Sequence, residues 1–334
     1  MPTTPSPTQP ARRTGLAMLA AAASFALLAA AGPAWAVYPD KPVRIVVPYS
    51  AGGGTDSFAR LVGLELSKHL GQPVVIDNKP GASGLLGGAA VAQAAADGYT
   101  LLVDQSSIAT NPMLYAKPPY DLARDLTPVS LGATLDNVLL VTPSLPARNV
   151  TELIALAKSR PGKLNYASTG IGTPQHLAME ELKDKSGTDI VHVPYKGGNP
   201  GIVALSADEV QMFFISVSTA MPFVKSGKVR ALANGGTRRS PLLPDVPTVG
   251  ESGLPGFQAT GWLAFFAPAG TPAAVVKRLN ADLAKALAAP ALVESLRQQG
   301  FEPASGTPEA LAALVKREAE QYGPIIRKGN IKVE

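Results

Sequence analysis

The stretch RIVVPYSAGGGTDSFARLVG, Arg44 to Gly63, poses the fold question. An apolar run enters a triple glycine, Gly52 to Gly54. Beyond it Phe58, Leu61, Val62, Leu66 and Leu70 recur near helical spacing, and Gly71 suits the stop. A continuous apolar run marks a strand buried on both faces. The turn between strand and helix frees backbone N–H groups at the positive end of the helix dipole, and Thr55 or Asp56 suits a cap there. That combination accommodates an anion. It does not match the nucleotide loops: a phosphate loop ends in Gly-Lys-Ser/Thr, and a dinucleotide turn needs a third glycine where Ser57 stands. A tight turn without a ligand is the plain alternative, although three glycines exceed what it requires.

Working outward, PVVIDN, an Ala/Gly-rich helix over 84–96 and YTLLVDQ complete a β-α-β-α-β run, which predicts a parallel sheet covered on both sides. A second series follows LDNVLLVTPSLP. NVTELIALAKSRPG reads as a capped helix, LNYAST as a strand and TPQHLAMEELKDKSG as a helix, with strands in DIVHVPY, EVQMFFIS and KVRALANGG. Two strong helices close the chain. This series repeats the first construction. Ser168, Thr169, Gly170 and Gly172 lead from a strand into a helix opened by Thr173-Pro174, a regular start signal. Gly81, Ala82, Ser83 and Gly84 form a third small-residue turn, which either lines the same cleft or packs closely. Two α/β lobes with a ligand cleft between them fit this pattern.

The first 36 residues stand apart. Arg12 and Arg13 precede an Ala/Leu-rich core and the small-x-small ending Ala34-Trp35-Ala36, which predicts a signal peptide cleaved after Ala36. The paired arginines leave Sec and twin-arginine export both open. The remainder, roughly 300 residues, is long enough for two domains. At 46% hydrophobic the chain can build a core without disulfides, and it contains no cysteine, which excludes thiolate chemistry. The net charge of +5 lacks Lys/Arg runs, so nucleic acid is not an expected partner.

Catalytic patterns are missing. GASG lacks the Gly-x-Ser-x-Gly spacing, and the three histidines form no metal-ligand pattern. His69 and His192 read as structural, and His176 stays open between lining a cleft and packing. Trp262 and Phe265 read as core. No cofactor is expected.

The stretches YPDKPVRIVVPYSAGGGTDSFAR, VVIDNKPGASG, STGIGTPQHLA, DIVHVPYKGG, RRSPLLPDVPTVGESGLPGF and FAPAGTPAAVVKRLNADL occur in the order of one family. They resemble the Bug family of periplasmic substrate-binding proteins, receptors of tripartite tricarboxylate transporters. The resemblance implies an α/β, two-lobed fold of the periplasmic-binding-protein type II, each lobe a mixed sheet flanked by helices. Lobe 1 would be discontinuous, 37–137 and 261–334, and lobe 2 would span 138–260, with crossings near Asn137 and Gly261. It also implies a carboxylate held largely by backbone groups. Carried onto this chain, the contacts are Tyr49, Ser50, Gly53, Gly54, Thr55 and Asp56 in one lobe and Thr169, Gly170 and Thr173 in the other, with His176 and Ser83 as further candidates. Membrane permease subunits would be the partners of a periplasmic monomer, not an enzyme. A ligand sensor for a signalling system is the rival within the class, and a secreted hydrolase the rival outside it. One departure stands out. Relatives often carry Asp at the position of Ile215, and an apolar residue there predicts a ligand without an amino group.

Overall fold

Four of the five residues of β1 (Val43–Val47) are fully buried, with only Arg44 facing out. The strand is covered on both faces, as its unbroken apolar run requires. Helix α1 (Gly54–Leu70) buries Phe58, Val62, Leu66 and Leu70 on one face and stops at Gly71, whose φ of 69° is the left-handed conformation that ends helices. It leads to β2 (Val74–Asn78), parallel to β1. Helix α2 (Leu85–Ala92) then leads to β3 (Thr100–Gln105), also parallel to β1. The sequence reading carried α2 to residue 96. It ends earlier because Val91 is its last buried position, and the amide of Ala94 turns back tightly to the Val91 carbonyl.

The computed structural model describes residues 38–195 and 197–333, together with Met1 and Thr3; Lys41 onward forms one compact unit. The signal-peptide reading, resting on residues 11–36, falls outside the described residues.

Two short helices, α3 (Asn111–Leu114) and α4 (Leu122–Asp125), precede β4 (Leu126–Val141), a strand of 16 residues. Sequence reading passed over this strand and used LDNVLLVTPSLP only as the boundary before the second series; the strand runs through both Pro128 and Gly132. Register shifts at Pro128/Ser130 and Leu131/Ala133 absorb both, and Gly132 lies where any side chain would strike Phe58. Next come α5 (Val150–Ser159), β5 (Asn165–Ser168), α6 (Pro174–Ser186), β6 (Val191–Pro194), α7 (Gly198–Ser206), β7 (Met212–Ser216), α8 (Val217–Lys225) and β8 (Arg230–Asn234). The chain returns through β9 (Thr260–Pro268), α9 (Ala273–Leu287), α10 (Pro290–Gln298), β10 (Glu302–Pro303) and α11 (Pro308–Lys328).

The strand order is β2-β1-β3-β9-β4-β7-β5-β6, with β8 and β10 also paired to β4. The sheet is mixed, because β9 enters antiparallel between β3 and β4. Strand β4 serves two sheets. Its pairing with β9 ends at Asp136, and its pairing with β7 begins at Asn137. Here the two sheets meet: the amide of Gly235 donates to the Asn137 carbonyl, and the Asn137 side chain donates to the Ala259 carbonyl. In the second lobe side chains alternate between two cores. Leu139, Val141, Met212 and Phe214 face one, while Val138, Leu140, Phe213 and Ile215 face the other.

Strand directions place the loops. β1, β2 and β3 run the same way as β4, whereas β7 runs against it with β5 and β6 alongside. The carboxyl ends of the two parallel sets therefore point at each other across the junction. Gln105 lies level with Ala133 through Leu263, and Ser216 lies level with Asn137. Four residues of extended chain separate these ends, about 13 Å.

Candidate ligand site

In the first lobe the β1–α1 turn exposes Ser50 through Gly54. Gly52 adopts a φ of 81°, and Gly53 caps α1 with no side-chain hydrogen bond, so the first-turn amides are left for water or a ligand. Neither Thr55 nor Asp56 caps the helix. Asp56, 2% exposed, accepts from the Gly52 amide (2.8 Å) and Arg60 Nε (2.9 Å) on one oxygen and from Asn78 Nδ2 (2.9 Å) on the other. It ties the turn to α1 and β2 from behind. The hydrogen bond from Arg60, with those from Gly52 and Asn78, holds its carboxyl down to about 2.

Tyr49 also turns inward. Its hydroxyl donates to Asp104 Oδ1 (2.8 Å) and lies 3.2 Å from Ser107 Oγ, while its carbonyl accepts from Asn78. The third turn sits beside it: a Cβ at Gly84 would stand 3.0 Å from the Tyr49 hydroxyl. Both Ala82 and Ser83 have positive φ, Ser83 is exposed, and Asn111 donates to the Ser83 carbonyl.

The second lobe builds its turn from side chains. Thr173 caps α6, and its hydroxyl donates to the Gly170 carbonyl (2.8 Å). Thr169 donates to Gln175 Oε1, and Ser168 Oγ accepts from the Gly170 amide. His176, 5% exposed, accepts from the Gly172 amide through Nδ1 (2.9 Å), which leaves the ring proton on Nε2. Its ring stacks on His192 at 3.8 Å, and His192 stacks on Tyr166 at 4.9 Å. Burial pushes His176 down to about 3 and His192 down to about 4, so both are neutral supports. His176 thus carries the turn from beneath.

One nucleophile-base geometry escaped sequence reading. Ser168 Oγ and His192 Nε2 are 2.6 Å apart although 24 positions separate them. Ser168 is fully buried, and its hydroxyl is already engaged by the Gly170 amide and carbonyl, so the pair braces the turn.

Ile215 is 3% exposed and belongs to the Val138–Phe213 core. It fills the space beneath the start of α7, where a Cβ at Gly198 would meet its Cδ1 at 2.9 Å. Just beyond it lies a hydroxyl group missed in the sequence: Ser216, Ser218 and Thr219, with Ser216 Oγ and Thr219 Oγ1 2.8 Å apart. The signal was present, since FISVSTA is again a strand running through small polar residues into a helix. Trp262 and Phe265 are core, as read, and Trp262 Nε1 donates to Glu318.

Segments flanking the two sheets touch beside this region. Gly172 packs on Leu114, and Gly300 packs on Ser218. Leu114, Leu177, Tyr322 and Ile326 share one cluster, and Gln321 on α11 donates to Glu181 on α6. A cavity of about 700 Å³ lies elsewhere, between Tyr120, Leu122, Phe266 and Val315, away from the turns. None of the turn residues Ser50–Gly54 or Ser168–Thr173 lines it. No cluster suited to a metal ion occurs among the described residues, and none of their helices is long and apolar enough to cross a membrane.

The model of the tripartite tricarboxylate transporter family receptor matches residues 58–331. The chain belongs to that family. It is therefore a solute-binding receptor and not an enzyme. BugT of Bordetella pertussis is 36% identical over 299 residues, covering 89% of this chain and 92% of that one. A UPF0065 protein from the tcbD-tcbE intergenic region of Pseudomonas sp. strain P51 is 42% identical over 290 residues, covering 86% of each chain. The solved structure of R. palustris Rpa4515 with adipate superposes with a TM-score of 0.78 at 36% identity, covering 88% of this receptor and 99% of that chain. MatC of Rhodopseudomonas palustris with bound malate gives 0.73 at 34%, covering 86% and 100%.

Proposed function

We propose that this receptor captures a small carboxylate without an amino group in the periplasm and delivers it, as a monomer, to the membrane subunits of a tripartite transporter. The observation that carries the reading is the opposition of two Gly/Thr-built helix starts across the β4 junction. A dianion such as the adipate or malate of the two relatives presents a charge at each end. Backbone amides of Ser50, Gly53, Gly54 and Thr55 would take one end, with Ser83 beside them. Thr169, Gly170 and Thr173 would take the other. Tyr49, Asp56 and His176 act behind these turns as positioning residues. Ile215 supports the absence of an ammonium, because a buried isoleucine supplies no counter-charge. Lobes 37–137 with 261–334, and 138–260, would close over the ligand about the Asn137 and Gly261 crossings. Export through a peptide cleaved after Ala36 would bring the receptor to its compartment.

Charge-assisted hydrogen bonds contribute about 1.5–3 kcal/mol each. Several of them reach the roughly 8 kcal/mol of micromolar binding after ordering costs. Thermal unfolding of residues 37–334 against dicarboxylates, tricarboxylates, aromatic acids, acidic amino acids, sugars and amines tests the reading. A ligand at a hundred times its Kd adds about 2.7 kcal/mol. Stabilisation confined to carboxylates is expected. A shift with aspartate or glutamate stronger than with any amine-free acid would refute the role given to Ile215, and a shift only with sugars or amines would refute the site.

A further inference from the structure

We propose that carboxylate capture is coupled to a proton held by Asp104, so that the receptor binds its ligand together with a proton. The inference rests on the proposed anion site in the first lobe.

Asp104, the penultimate residue of β3, lies behind that site and is 1% exposed. Every hydrogen bond it receives comes from a neutral group: the Tyr49 hydroxyl at 2.8 Å and the Gln105 amide at 2.7 Å, both on Oδ1. Its other oxygen points at the third turn, 3.5 Å from where a Cβ of Gly84 would stand. Tyr49 leads straight into the exposed Ser50–Gly54 turn, so one carboxyl group lies behind both small-residue turns of this lobe.

Among the described residues no cation faces it from the elements packed around it. The β1–α1 turn contributes Tyr49, and the segment before α4 contributes Tyr120. Strand β9 contributes Ala264 opposite, and the turn before α2 contributes Gly84. Gln105 on its own strand and Ser107 in the turn after it are neutral. Across the turn Asp56 is matched by Arg60, and on α11 Glu318 is turned to Trp262. Burial without a counter-ion pushes Asp104 up to about 7. A ligand carboxylate seated on the turns adds a second negative charge in front of it and raises the group further. The bound state then holds more proton than the free state. Affinity is flat below pH 7 and falls as pH rises above it; a one-unit further rise corresponds to about a tenfold loss. His176 and His192 are neutral throughout this range and add nothing to the slope, whereas burial pushes Glu318 up to about 8, inside the same window, so its contribution must be separated from that of Asp104.

The test is calorimetric titration of the mature receptor with adipate and with malate between pH 6.5 and 8.5, where both acids are ionised. For a one-unit rise the wild type should lose about sixfold in affinity across that window, and Asp104→Asn, which keeps the acceptor oxygen for Tyr49, should show a flat profile. Glu318→Gln should keep the wild-type slope. Titration of the wild type at pH 7.5 in buffers of different ionisation enthalpy should show net proton uptake, and this readout does not depend on any variant folding. Binding with a flat wild-type profile and no proton uptake overturns the coupling alone. A slope that persists in Asp104→Asn, or vanishes only in Glu318→Gln, also overturns it. Binding of neither acid at any pH overturns the anion site and the coupling together.

Discussion

Gly172→Ala is expected to lower stability by about 3 kcal/mol, to lower Tm by about 5 °C, and to weaken carboxylate binding at least tenfold. Two effects add. The φ of 72° costs an L-residue about 1–2 kcal/mol. The new methyl would also overlap Leu114 Cδ1, which belongs to the cluster joining Leu177, Tyr322 and Ile326. Either Leu114 leaves that cluster or the Thr169–Thr173 turn stands off from α3, and closure suffers in both cases. Gly172→Ala, Leu114→Ala and the double variant separate the terms: in the Leu114→Ala background the overlap is gone, and the Gly172 change costs only its backbone strain. Melting and titration of the three proteins give the answer. A single variant that melts within a degree of wild type and binds normally would show that Gly172 and Leu114 are not packed in this way.

Asp56→Ala has the second largest expected effect, about 3 kcal/mol with loss of measurable ligand binding. Three donors lose their acceptor, and two of them, the Gly52 amide and Asn78, set the path of the exposed turn. Arg60 is half exposed and recovers water, so its share is small. Asp56→Asn keeps one acceptor oxygen but aims an amide at a donor, and it should fall between. Because the folded carboxyl lies near 2, its contribution is present above the unfolded value near 4 and disappears as pH falls through about 2. The gap between wild type and Asp56→Ala should therefore be constant from pH 5 to 8 and close only in strong acid. A variant that loses affinity but melts like wild type would instead place Asp56 on the ligand.

The local signals were legible. The apolar run of β1, the glycine stop of α1 and the Thr-Pro start of α6 report short-range physics, and each stands where its chemistry predicts. What escaped were consequences of long-range placement. Nothing local in TGWLAFFAP says that it slots antiparallel between β3 and β4. Pro128 and Gly132 look like breakers until bulges and Phe58 give them a place. At the site the sequence located the turns but not the groups behind them. Asp56 read as a cap because its offset suits one, yet Arg60 and Asn78 claim its oxygens. The bracing of Ser168 by His192 joins residues on different strands, which periodicity cannot reveal.

The place of β9 has a consequence for how the chain comes to be folded. The strands of the second sheet, from the far half of β4 to β8, are contiguous and can pair among themselves as soon as they are available. The first sheet cannot close, because its central position between β3 and β4 belongs to a segment beginning at Thr260. Until that segment arrives, two unpaired strand edges stand open, one of them Leu101–Val103, buried and apolar in the finished protein. Non-local pairing of this kind is slow to form and prone to association while it waits. Assembly is therefore ordered by topology: the insert settles early, and the lobe that encloses it is sealed last.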